Sequence, residues 1–121
     1  MAKLAIISVA IVALLHVYFA YIEIFQWVQK GSTIVPDLDP EMLKRTKAMA
    51  ANQGLYNLFL VAGLIWSMIA RNRKIALFFL GCIVVAGVFG GITVSPKIFA
   101  VQAVPAALAF AAVFVTNRPV S

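Results

Sequence analysis

Acidic side chains are scarce in this chain. Four Asp and Glu stand against ten Lys and Arg in 121 residues. Cysteine and histidine occur once each, as Cys82 and His16. One cysteine excludes an internal disulfide and any multi-cysteine metal centre. It falls mid-segment among apolar residues, where a cysteine acts as a small buried hydrophobe. One histidine and one acid within the apolar runs supply at most two ligands per chain, so no metal site is expected within one subunit. There is no Ser–His nucleophile set and no glycine-rich phosphate loop.

What is abundant is apolar surface. Hydrophobic residues make up 64% of the sequence and the mean hydropathy is +1.01. A soluble domain of this length is closer to half apolar and cannot bury such an excess. The class implied is an integral membrane protein, all-α, with a single transmembrane domain over residues 1–121. The net charge of +6 does not argue for nucleic acid. The basic residues sit at the ends of apolar segments, where they anchor helices in headgroups, and no basic arm is present. The bilayer is the expected partner.

Four spans are expected, at about 4–28, 48–70, 75–94 and 98–116. The first follows Met1-Ala2-Lys3 and is longer than the apolar core of a signal peptide, so it reads as an uncleaved signal anchor. Lys30-Gly31-Ser32 ends it. Asp39-Pro40-Glu41 carries the signature of a capped helix start, so a helical prelude from residue 40 leads into the second span. Arg71-Asn72-Arg73-Lys74 is a tight basic turn, and Ser95-Pro96-Lys97 joins the last two spans. Backbone groups in lipid must be satisfied internally, so every span is a helix. Short connections make neighbours antiparallel, which gives a four-helix transmembrane bundle. Gly87 and Gly91, with alanine-rich 100–112 after them, point to a close helix pair or an oligomer contact. The cations divide five and five between the two faces; counting Arg118 with Lys3, Arg71, Arg73 and Lys74, the acid-free turn favours both termini in the cytoplasm.

The polar residues of the spans collect in one leaflet. His16 and Glu23 are seven residues apart, so they share a helix face about 10 Å apart along the axis. Gln26 continues that stripe. Asn52, Gln53, Tyr56 and Asn57 enter the same leaflet on the second span, Thr93 on the third, and Gln102 on the fourth with Pro105 a turn deeper. Pro105 frees a backbone carbonyl near Gln102. The other leaflet offers only Ser8, Ser67 and Cys82. An ionisable group in hydrocarbon costs a few kcal/mol, roughly, and marks a functional site by default. The expectation is a half-depth polar pocket, open or gated toward the first loop, with His16, Glu23, Gln26, Asn52, Gln53, Tyr56, Asn57 and Gln102 as its ligand-binding set. Glu23 is the candidate acid or base, and His16 would orient it or share its proton. The plainer alternative is interhelical glue, worth about 1 kcal/mol per hydrogen bond.

These residues also carry a resemblance. His16 with Tyr21-Ile22-Glu23 and Trp27, Asn52-Gln53-Gly54-Leu55-Tyr56-Asn57, Val85-Ala86-Gly87 with Gly90, and Gln102 with Pro105-Ala106 resemble the small bacterial membrane proteins known as domain of unknown function 1304. The resemblance runs through all four spans and implies a four-helix inner-membrane protein, with no activity to carry over. Arg45 and Asn52 give a partial similarity to the membrane-associated proteins of eicosanoid and glutathione metabolism. Leu55 stands where those proteins have an acid, which argues against glutathione binding.

Three functions follow as expectations. The first is binding, with or without conversion, of a small amphiphilic or lipid-like molecule. The second is a proton-coupled small-solute transporter working as a homodimer, since four helices are too few for a pathway; a homo-oligomer is the expected assembly. The third is a non-catalytic membrane subunit.

Overall fold

A computed structural model describes residues 1–116, and these contain helices and turns but no strand. In chain order they are α1 (Lys3–Phe25), α2 (Trp27–Lys30), a 3₁₀ turn (Gly31–Thr33), α3 (Pro40–Arg45), α4 (Lys47–Ile69), α5 (Arg73–Thr93), a π-helical turn (Phe99–Ala103) and α6 (Val104–Thr116). Four segments are long and apolar enough to cross a membrane: α1, α4, α5, and the π turn together with α6. They form a four-helix bundle. Arg118, counted above among the cytoplasmic cations, lies outside the described residues.

Local chemistry accounts for most of the boundaries. Asp39 caps α3 by accepting from the Met42 N–H at 2.8 Å, with Pro40 at the first helical position. Asn72 caps α5 by accepting from the N–H groups of Lys74 and Ile75. Between α4 and α5 the chain turns on Arg71, at φ 49. The N–H of Asn72 reaches Ser67 O at 3.0 Å and that of Arg71 reaches Met68 O at 3.2 Å. This is a Schellman closure with arginine in the left-handed position that glycine usually fills.

Two boundaries depart from expectation. The first span is interrupted at Gln26 (φ −129, ψ 22), after which α2 restarts at a new angle. No proline or glycine marks this break. Tertiary anchoring accompanies it: the Trp27 indole N–H donates to Thr46 Oγ1 at 2.9 Å, and Trp27 packs in a cluster with Ile22, Leu43 and Ala50. The last span begins as a π turn. Pro105 has no N–H to give, and its ring crowds the carbonyl four residues back. The wider turn just before it carries a Val104 N–H to Phe99 O bond.

Glycines allow two close approaches to a neighbouring backbone. A Cβ on Gly54 would lie 2.6 Å from Ile24 Cγ1 and 3.2 Å from Ala20 O, so α4 lies tightly on α1 there. A Cβ on Gly87 would lie 2.5 Å from the backbone N of Ala103, so α5 and the π turn meet backbone to backbone. The bundle's half nearest the α4–α5 turn is filled by one apolar cluster that includes Val9, Val12, Val61, Leu64, Leu80, Ile83, Ala109 and Val113. Lipid is as apolar as leucine, so close van der Waals fit rather than water exclusion holds this half together. Ser8 and Ser67 satisfy their hydroxyls on Ala5 O and Leu64 O within their own helices.

Candidate functional site

Ala50, Gly54, Asn57 and Val61 are buried on α4 at intervals of four, three and four residues, which makes one stripe facing α1. The Gly54 contact draws that stripe in. One turn further on, Asn57 meets Glu23. Asn57 Nδ2 donates to Glu23 Oε1 at 2.5 Å, and both residues are nearly inaccessible, at 5% and 8% exposure. With Glu23 ionised its oxygens only accept, so the Asn57 amide turns its nitrogen toward Glu23, which leaves Oδ1 pointing away from the pair.

His16 is fully buried deeper in α1. Its Nδ1 lies 2.9 Å from Val12 O, and its Nε2 lies 3.1 Å from Gln102 Nε2. A carbonyl cannot donate, so Nδ1 carries the proton and Nε2 accepts from the Gln102 amide. Phe19 packs edge-on against the ring at 5.4 Å. One ring nitrogen is thus used within α1, and the other ties α1 to the π turn.

These contacts border a cavity of about 670 Å³, within the range of small-molecule sites. Glu23, Thr46, Gln53, Tyr56, Asn57, Thr93 and Gln102 contribute its polar lining, and the walls are otherwise mostly apolar, with Phe19, Trp27, Leu60, Phe89 and Val101 among them. Its lining includes exposed residues of α4 (Met49, Gln53, Tyr56) and of α5 (Phe89, Thr93), so it reaches the outer surface between those helices. The segment between α2 and α4 closes one end with Ile34, Val35 and Leu38. This segment is held by the Trp27–Thr46 bond and by Lys97 Nζ, which donates to Thr33 O.

The sequence-derived set divides into three groups. Glu23, Asn57, Gln102, Gln53 and Tyr56 line the one cavity. His16 reaches it only through Gln102 and makes no hydrogen bond to Glu23, so it is not placed to orient that acid or share its proton. Gln26 sits at the α1 break and Asn52 is exposed on α4, about 200° around the helix from the inward stripe; neither lines the cavity. Cys82 is exposed on the outer face of α5, contrary to its expected burial, beside an apolar groove lined by Leu77, Phe78 and Val85. Sequence reasoning missed Thr46, Ile34, Val35 and Leu38. The last three carried a signal, since apolar residues within a polar loop must pack on something. Among the described residues, no three His, Cys, Asp or Glu side chains gather as a metal set.

Bundle, buried acid and apolar length together define an all-α protein built to cross the membrane several times. The chain belongs to the family described as protein of unknown function (DUF1304), whose model matches residues 10–114. No curated protein and no solved structure matches it.

Proposed function

We propose that the protein binds a small amphiphile within one leaflet of the bacterial inner membrane. The observation that carries this is a single cavity with the Glu23–Asn57 pair and Gln102 on its wall and mostly apolar residues around them. An amphiphile diffusing in the leaflet would pass between α4 and α5, seat its polar end against Glu23 and leave its chain along Leu60, Phe89 and Val101. Glu23 is the one carboxyl group of this wall, so any conversion of the ligand would use it as acid or base. We assign both termini to the cytoplasm from the basic turn at Arg71–Lys74.

Co-purification tests the reading. Protein extracted from membranes should carry a stoichiometric amphiphile visible by native mass spectrometry, and Asn57→Ala should lose it while keeping the helical signal. An empty wild-type protein under the same extraction would remove the proposal. A proton-coupled transporter would need a polar route through the opposite leaflet, where the apolar cluster is continuous, and this favours binding over passage.

A further inference from the structure

The hydrogen bonds around the cavity leave it with acceptors and few donors. Asn57 spends its amide nitrogen on Glu23 Oε1, and Gln102 spends its own on His16 Nε2. With Glu23 ionised and His16 in this tautomer, both partners only accept, which fixes the two orientations. The amide oxygens of Asn57 and Gln102 take no hydrogen bond from the described residues, and neither does Glu23 Oε2. Thr46 and Thr93 point their hydroxyl protons back at Met42 O and Phe89 O. Gln53 and Tyr56 retain donors, but both are exposed at the rim. No lysine or arginine lines the cavity. Of the nearby cations, Lys97 is engaged by Thr33 O and Arg45 by Glu41, 3.5 Å away.

We infer that the cavity takes the primary ammonium head of a lipophilic amine, held by Glu23 Oε2 and the side-chain oxygens of Asn57 and Gln102. Three acceptor oxygens, one from a carboxylate, match the three N–H donors of an alkylammonium. A fatty acid would bring a second carboxylate against Glu23 with no cation to offset it. A quaternary ammonium would leave all three oxygens without a donor in a water-poor site, which is costly. This inference rests on the amphiphile-binding reading and specifies its ligand.

The test uses the full chain in phosphatidylcholine nanodiscs with Trp66→Phe, so that Trp27 on the cavity wall is the reporter. Four twelve-carbon probes differ only in the head: dodecylammonium, dodecyltrimethylammonium, dodecanol and dodecanoate. Saturable change in Trp27 emission is expected with dodecylammonium at least tenfold tighter than with the other three. Glu23→Gln should erase most of that preference, and Cys82→Ser on the outer face of α5, away from the cavity, should leave it. Adding phosphatidylethanolamine identifies the source: competition assigns the ammonium to a membrane lipid, and its absence to a free amine, both upholding the head chemistry. Equal affinity for all four probes, or a preference for the trimethylated or the anionic head, overturns the inference while amphiphile binding stands. No saturable response to any probe overturns both. The probe ranking is read on the Glu23-containing protein, so it holds even if the Glu23 variant fails to fold.

Discussion

Asn57 of α4 reaches across the helix interface to Glu23 of α1 and hands its amide proton to the carboxylate, over a separation of 34 residues in sequence. Each side chain therefore stands in for the water the other would have had outside the membrane. Removing the asparagine leaves a buried acid without its donor. Asn57→Ala should lower stability by about 1–3 kcal/mol, the cost of stranding a buried polar group. Glu23→Gln, which keeps an acceptor oxygen, should cost less. Reversible unfolding in mixed micelles, carried through the double mutant, would reveal a coupling near zero if the pair does not act as a unit.

The glycines make a graded series. Gly87→Ala should be the most damaging, because the new methyl meets the Ala103 backbone, which cannot step aside. Gly54→Ala should be intermediate, since Ile24 can change rotamer. Gly81→Ala should be close to neutral, as its nearest atom, on Phe110, is 3.9 Å away. Losses of about 1–3 kcal/mol are expected for the first two. Thermal melts that rank Gly81→Ala as the worst would contradict the described packing.

Thr46→Val keeps the shape of the side chain and removes the partner of the Trp27 indole. A loss of about 1 kcal/mol is expected, with a change in Trp27 emission and faster proteolysis within 31–46. Unchanged cleavage kinetics would mean the bond does not hold that segment down.

Cys82 offers a check on which surface of α5 meets lipid. It should react with a membrane-permeant maleimide and resist a charged one in intact membranes, while a Gly87→Cys variant, if folded, should be protected from both. Rapid labelling of Cys82 by the charged reagent would place it in water instead.

The ring of His16 makes a spectroscopic prediction. Nitrogen chemical shifts should report the Nδ1–H tautomer, and Gln102→Leu should perturb Nε2 while leaving the proton on Nδ1. An Nε2–H tautomer would reverse the donor and acceptor roles at Gln102.

Much of this architecture was legible in the residues themselves. Charges are expensive in hydrocarbon, so the apolar runs announce the spans, and Glu23, Asn57 and Gln102 stand out as polar groups with depth. What stayed hidden was pairing. His16 and Glu23 share a helix face, yet each found its partner on another helix, and periodicity on one helix carries no information about the neighbour's rotation. Asn52 was grouped with Asn57 because the inward stripe of α4 runs through Ala50 and Gly54, which are too small to announce a buried face. The break at Gln26 has no local cause in sequence, since what accompanies it is Thr46, twenty residues on. Pro105 signalled a disturbed backbone, but whether it would be met by a kink or by a wider turn depended on Gly87 allowing the Ala103 backbone so near.

The apolar cluster at the far end of the bundle also bears on exchange. It stoppers the chamber, so in the proposed binding mode a molecule seated beside Glu23 would have to back out through the opening by which it came. Occupancy then tracks how much of that molecule the adjoining leaflet holds. Under the proposed binding function, a single chain of this shape would work as a gauge of membrane content.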